Sequence, residues 1–159
     1  MVSRFLPQTK TFISFANTRL FYGWLNTISN QVDESRIEAV GCEVAAAEWL
    51  VRNGASVKWS SSDRWEKDYN SLPKHKVQNG LKIEEIDATD SSIMSVGFPH
   101  LKGVKNLKKI IIKRNHYLDD EALARLSFVK HSLKHLEIVS CSGVTEEGVI
   151  SLKHLELSA

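Results

Sequence analysis

Six histidines, two cysteines and 19 carboxylates are the side chains of this 159-residue chain that could hold a metal or move a proton. Their spacing argues against both. His131 and His135 lie four apart, as a helical metal pair does, but Leu133 and Leu136 set a strand there, which throws the two imidazoles off a common ligand geometry. His100, His116 and His154 stand alone and read as solvated or loop-bonded. Cys42 and Cys141 fall in different elements, so neither a disulfide framework nor a metal spacing is present. No G-x-S-x-G, P-loop, H-E-x-x-H or C-x-x-C occurs, and the chain reads as a non-enzyme. The densest charge is the run Lys105, Lys108, Lys109, Lys113 and Arg114. Glu84, Glu85, Asp87 and Glu137 flank it and the net charge is only +2, so a phosphate-tracking groove for nucleic acid is excluded.

The elements that must position these residues announce themselves at Leu133–Leu152. Leu133, Leu136, Ile138 and Cys141 follow the ladder L-x-x-L-x-L-x-x-N/C, and Val144, Thr145, Gly148 and Leu152 return the chain. This is one leucine-rich repeat of the cysteine-containing kind. Leu107, Ile110, Ile112 and Asn115 repeat the ladder upstream, with Leu118, Ala122, Leu123 and Leu126 returning. A weaker copy has Ile83, Ile86 and Ala88, then Ile93, Met94, Phe98 and Leu101. The ladder starts are 24 and 26 residues apart. The fold class read from this is α/β: a short leucine-rich repeat solenoid of parallel strands and returning helices, capped by an N-terminal helical domain. The repeats fall at about 57–83, 84–112, 113–137 and 138–159, the last incomplete. That leaves the last helix partly uncovered, or marks a shortened form of a longer protein.

Residues 1–20 carry Arg4, Lys10 and Arg19 without an acid, interleaved with Ser, Thr and Phe. This suits a mitochondrial transit segment, a disordered basic tail being the alternative. The cap, 21–56, is predicted as three helices. The first has Phe21, Trp24, Leu25 and Ile28 on one face; the second spans about Glu34–Val40 behind an Asp33 N-cap; the third spans about Cys42–Arg52, stopped by Asn53-Gly54 in a left-handed turn. Trp59, Trp65 and Tyr69 are expected to fill the joint between cap and repeats, with an aromatic binding site as the other reading. A short strand near Val57 and Trp59 opens an irregular first repeat, followed by a loop at Leu72–Asn79. No run of eighteen apolar residues exists, so no spanning helix is predicted.

In such an array equivalent positions sit side by side. Glu85, Lys109 and His135 form one column; Asp87, Ile111 and Glu137 a second; Thr89, Lys113 and Val139 a third. Glu85, Lys109, Ile111 and Glu137 are the candidate partner-binding residues of this face.

From Phe21 onward the chain resembles the mitochondrial ATP synthase subunit s (coupling factor B) family, and more distantly the complex I distal membrane arm assembly proteins. The resemblance rests on GWLN at Gly23–Asn26, EWL at Glu48–Leu50, KDYN at Lys67–Asn70 and IDATDS at Ile86–Ser91. It implies a mitochondrial accessory factor, peripheral on the matrix side of the inner membrane, whose partner is the ATP synthase membrane sector and which supports proton conduction coupled to ATP synthesis. Homo-oligomerisation is left open. Assembly of the complex I membrane arm and a cytosolic repeat adaptor are the alternatives. The resemblance also implies a magnesium ion (Mg2+) held through oxygens at Gly54 and Thr89. Two departures stand out. The family's C-K-C dithiol is replaced by Lys113, Arg114 and Asn115, and the family continues through at least another repeat beyond the position of Leu155.

Overall fold

The structure, a computed structural model, describes residues 11–77, 80–155 and 157, with residues 11–17 and 19 described by backbone alone. Five α-helices and five strands are found among them: α1 (Thr11–Asn30), α2 (Glu34–Val40), α3 (Cys42–Arg52), β1 (Ser56–Trp59), β2 (Trp65–Glu66), β3 (Ile83–Asp87), β4 (Lys109–Lys113), α4 (Asp120–Arg125), β5 (His135–Val139) and α5 (Glu146–Ser151). The strands make one mixed sheet in the order β2-β1-β3-β4-β5.

Local chemistry fixes the helix boundaries. Asp33, in extended backbone, caps α2 by accepting the amide of Arg36 at 3.0 Å. Gly41, at φ 88°, separates α2 from α3 in a conformation that disfavours any side chain. The Arg36 guanidinium then ties the two helices together through a forked pair to the buried Glu48, at 2.6 and 2.9 Å. At the end of α3, Gly54 takes the left-handed turn at φ 85°, whereas Asn53 stays at φ −95°. The expected two-residue stop is therefore borne by the glycine, which frees the asparagine side chain for another task described below.

The strands β3, β4 and β5 pair in parallel with the register of the predicted columns: Glu85 opposite Lys109 opposite His135, and Asp87 opposite Ile111 opposite Glu137. Amide bonds from Ala88 to the Ile111 carbonyl and from Asp90 to the Lys113 carbonyl carry the β3–β4 ladder past the strand end. Ile83, Ile86, Leu107, Ile110, Ile112 and Leu133 are buried beneath it, as the ladder pattern requires. Leu136 and Ile138 of β5 are only half-buried, because β5 is a sheet edge. The same turn recurs after each of these strands. Asp90, Arg114 and Ser140 all adopt left-handed backbone, at φ 56°, 52° and 56°, and each precedes a small polar residue: Ser91, Asn115 and Cys141. Asn115 is wholly buried and accepts the amides of Tyr117 and Leu118 at 2.7 and 2.9 Å.

Three expectations need correction. The strand near Val57 is present, but it runs antiparallel to β3, with Ser56 opposite Asp87, and β2 is antiparallel to it in turn. A parallel neighbour needs an apolar return across the sheet's back. Leu72 is the one fully buried residue among the described residues of 60–82, so this segment closes the sheet's first edge instead of adding a strand-and-return unit. Second, of the three aromatics assigned to the joint only Trp59 is buried; Trp65 and Tyr69 are exposed. Third, the helix predicted from Phe21 begins at Thr11. Residues 1–10 of the leader lie outside the described residues, and 11–20 form the first half of α1. In the loop at Leu72–Asn79, residues 78–79 also lie outside them.

The return after β3 is a 3-10 turn, Ser95–Leu101, rather than an α-helix, because Pro99 lies within it. Gly97 lies against the Trp49 indole, where a Cβ would collide with the ring. Trp49 meets Phe98 edge to face at 5.7 Å and stacks on His100 at 5.1 Å. These contacts lock α3 onto the 3-10 return.

Candidate functional site

The charged face of the sheet is the first surface to consider, since it carries Glu85, Lys109, Ile111 and Glu137. Its ions are already matched. Lys58 on the antiparallel β1 reaches Glu85 at 3.2 Å, closer than Lys109 at 4.0 Å, and Lys113 reaches Glu137 at 2.7 Å. Lys108 pairs with Glu84, and Arg114 with Asp90. Every cation of the basic run except Lys105 thus has a carboxylate partner. Ile111 lies half-buried between Asp87 and Glu137, and Val139 is exposed.

Gly54 and Thr89, distant in sequence, line one cavity of about 330 Å³ at the carboxyl end of β3, together with Ser56, Lys67 and Asp87. The Asp87 carboxylate accepts the Thr89 amide at 3.0 Å, which fixes the DATD turn against the α3 stop. No group of three or more His, Cys, Asp or Glu side chains gathers anywhere among the described residues.

The second surface is α1, and it is inside out. The polar side chains of its last turn, Ser29 and Asn30, face the protein. Asn30 is fully buried: its amide nitrogen donates to the carbonyls of Asn26 and Ser92 and to Oδ1 of Asn53, and its Oδ1 accepts the Trp49 indole N–H at 2.9 Å and the Met94 amide at 2.8 Å. Asn53 answers with bonds to the carbonyls of Ser29 and Trp49, while the Ser29 hydroxyl donates to Asn53 Oδ1 at 2.6 Å. With this face turned inward, Phe21, Trp24, Leu25 and Ile28 point to solvent, 53%, 58%, 38% and 44% exposed. The rings of Phe21 and Trp24 lie 6.2 Å apart and form one contiguous strip. The apolar period was readable in the sequence; its direction was not. The signal that could have given it is the opposite face, where Asn26, Ser29 and Asn30 offer amides and a hydroxyl but no charge, a composition suited to burial once paired.

Two titratable groups are perturbed where the cap meets the sheet. Burial pushes the Glu43 carboxyl up, against the amides of Ile83 and Lys105 that it accepts. Burial also holds the His100 imidazole below its ordinary range, although its Nδ1 lies 2.8 Å from the Gly97 carbonyl oxygen. Neither belongs to a metal-type cluster among the described residues. No helix among the described residues is long and apolar enough to cross a membrane.

No protein-family model matches the chain. Curated proteins do. It is 46% identical over 142 residues to a Homo sapiens protein named "ATP synthase subunit s, mitochondrial", an alignment covering 87% of this chain and 70% of that protein. The Bos taurus protein of the same name is 46% identical over 141 residues. The Rattus norvegicus one is 44% identical over 158 residues, covering 98% of this chain and 78% of the relative.

Proposed function

The chain belongs to the family of mitochondrial ATP synthase subunit s, and from that premise we propose that it is a non-enzymatic accessory factor of ATP synthase, peripheral on the matrix side of the inner membrane, that supports coupled proton conduction by docking. The observation that carries the docking reading is the outward apolar strip of α1. Covering a Val-, Leu- or Phe-sized side chain is worth roughly 1.5–3 kcal/mol, while association costs roughly 4–15 kcal/mol, so several strip residues must be covered together. The sheet face with Glu85, Lys109, Ile111 and Glu137 has less to gain, since its charges neutralise each other; we assign it a secondary, salt-sensitive contact.

The test is affinity purification of the tagged chain from gently solubilised mitochondria, with and without Trp24→Ser/Ile28→Ser. ATP synthase subunits should accompany the unmodified chain and be lost from the double variant. Co-purification with complex I intermediates, or absence of the chain from mitochondria, overturns the reading.

We also read the sheet as a short leucine-rich repeat solenoid whose first edge is closed by the β1–β2 hairpin. Support comes from the buried ladder side chains, the matched register and the left-handed turn recurring at Asp90, Arg114 and Ser140. A magnesium ion at Gly54 and Thr89 is the finer part of the proposal. The shared cavity fits a hard cation in its oxygen donors, including the Asp87 carboxylate, and opposes one in admitting Lys67. The ion would act as a structural clamp between the α3 turn and β3. Millimolar magnesium should raise the unfolding temperature of the chain and leave that of Asp87→Asn unchanged; an equal response in both, or none in either, removes the metal from this cavity.

A further inference from the structure

The basic run leaves one cation over. Lys108, Lys109, Lys113 and Arg114 are matched by carboxylates, whereas Lys105 stands exposed without one among the described residues. It lines a groove of about 400 Å³ between the turns that lead into β4 and β5, with Val104, Phe128, Val129 and His131. Lys102 lies over the same Phe128 ring, its ammonium 5.0 Å from the centroid. Lys130, between the lining residues Val129 and His131, is exposed, as are Lys102 and His131. Neither Lys102 nor Lys130 forms an ion pair among the described residues. No acid occurs in residues 91–118 or 122–136, which supply both walls. The Glu43 carboxylate reaches this turn from α3, but it is occupied by the amides of Ile83 and Lys105.

Backbone bonds set both walls before any ligand arrives. In the first, the Lys102 amide donates to the Pro99 carbonyl at 3.0 Å and the Val104 amide to the Leu101 carbonyl at 3.1 Å. Gly103, between them, turns left-handed at φ 89° against the Cys42 side chain. In the second wall the Ser132 amide donates to the Val129 carbonyl at 3.0 Å. The Lys134 amide then crosses to the Lys108 carbonyl at 2.9 Å, which fixes the second turn beside the first. The floor is apolar and recessed, with Val104 and Val129 buried and Phe128 half-buried. Walls formed in advance lower the ordering cost of binding.

We propose that this groove docks an acidic peptide segment of a partner protein, one aliphatic side chain entering the recess and the flanking carboxylates meeting Lys102, Lys105 and Lys130. A cluster of uncompensated ammonium groups attracts an anionic partner and steers its approach. The recess separates a peptide from a lipid surface: a bilayer is entered by protruding apolar side chains, and no apolar side chain lining the groove is exposed. A lysine ammonium is a point charge on a flexible stem, so it follows carboxylates whose positions a peptide chain sets. The site stands independently of the docking reading, because no residue of the α1 strip lines it.

The test is fluorescence anisotropy of a labelled peptide, glutamates flanking one central leucine, titrated with the full chain at physiological ionic strength. Saturable binding is expected, weakened about tenfold or more in Lys102→Gln/Lys105→Gln. Arg64→Gln/Lys74→Gln, which removes the same charge away from the groove, should bind as the parent does. Serine in place of the central leucine should weaken binding several-fold, and a peptide with lysines in place of the glutamates should not bind. Phosphatidylglycerol vesicles or a short single-stranded DNA, added at equal charge concentration, should leave the peptide bound. Absence of saturation, indifference to the leucine, an equal loss in both charge variants, or displacement by vesicles or DNA overturns the proposal. All four substituted side chains are exposed, and an unfolding curve for each variant checks that the fold is intact.

Discussion

Helix α1 and the sheet solve the same packing problem in opposite senses. In β3 and β4 the apolar side chains point inward and the charged ones outward, as Ile110 and Ile112 against Lys109 and Lys113 show. At the end of α1 the Asn30 amide points inward, while Phe21 and Trp24 point outward. The difference teaches that apolar periodicity establishes that an element has two faces, and that the availability of hydrogen-bond partners decides which one is buried. A strand's backbone satisfies its own ladder, so its side chains are free to sort by hydrophobicity. Asn30 instead meets an indole N–H, a backbone amide and two carbonyls outside its own side chain, and that partnership outweighs the apolar strip.

The sharpest way to break this comparison is to attack each buried face by its own chemistry. Ile112→Ala should cost about 2–5 kcal/mol by leaving a cavity under β4. Asn30→Ala should cost roughly 2–4 kcal/mol, because the Trp49 indole and the Met94 amide are left buried without an acceptor. Denaturant unfolding measures both, and an Asn30→Ala cost near zero would show that α1 is not held by its polar face. A smaller, pH-dependent effect belongs to the joint. The His100 imidazole, stacked on Trp49 beside the Gly97 carbonyl and near Arg52, Glu34 and Asp33, has a pKa depressed below its ordinary 6.5. The unfolded chain therefore takes up a proton that the folded chain refuses, so stability is complete above pH 6.5 and declines as pH falls through the window just below it. In His100→Gln that slope should vanish, while the losses at lower pH from Asp33, Asp90 and Asp120, whose pKa values are lowered in the fold, should persist. The smallest effect is expected outside: Trp24→Ser/Ile28→Ser should change stability by no more than about 0.5 kcal/mol per site. A larger loss would mean that the strip is part of the fold rather than a contact surface.

Much of the architecture was legible because its signals are local. The Asp33 cap and the two glycines bound α2 and α3, both found at the predicted residues. The 24- and 26-residue spacing gave the register of β3, β4 and β5 and brought Glu85 beside Lys109. What was not legible depends on distant partners. The direction of β1 is set by whether its connection can pack behind the sheet, and one buried leucine in that connection is too weak a pattern to read. The left-handed turns at Asp90, Arg114 and Ser140 carry no glycine to mark them. Gly54 and Thr89 were proposed from family resemblance alone, and their shared cavity came from the fold.

The closed first edge gives the molecule a polarity of growth. β2 offers a ladder two residues long, too short to template another strand, whereas β5 presents five residues with Leu136 and Ile138 still half-covered behind them. Duplication of a strand-and-return unit can therefore lengthen the array only beyond β5. Descendants of this fold are free to vary in reach at that end, while the β1–β2 hairpin stays unaltered at the other.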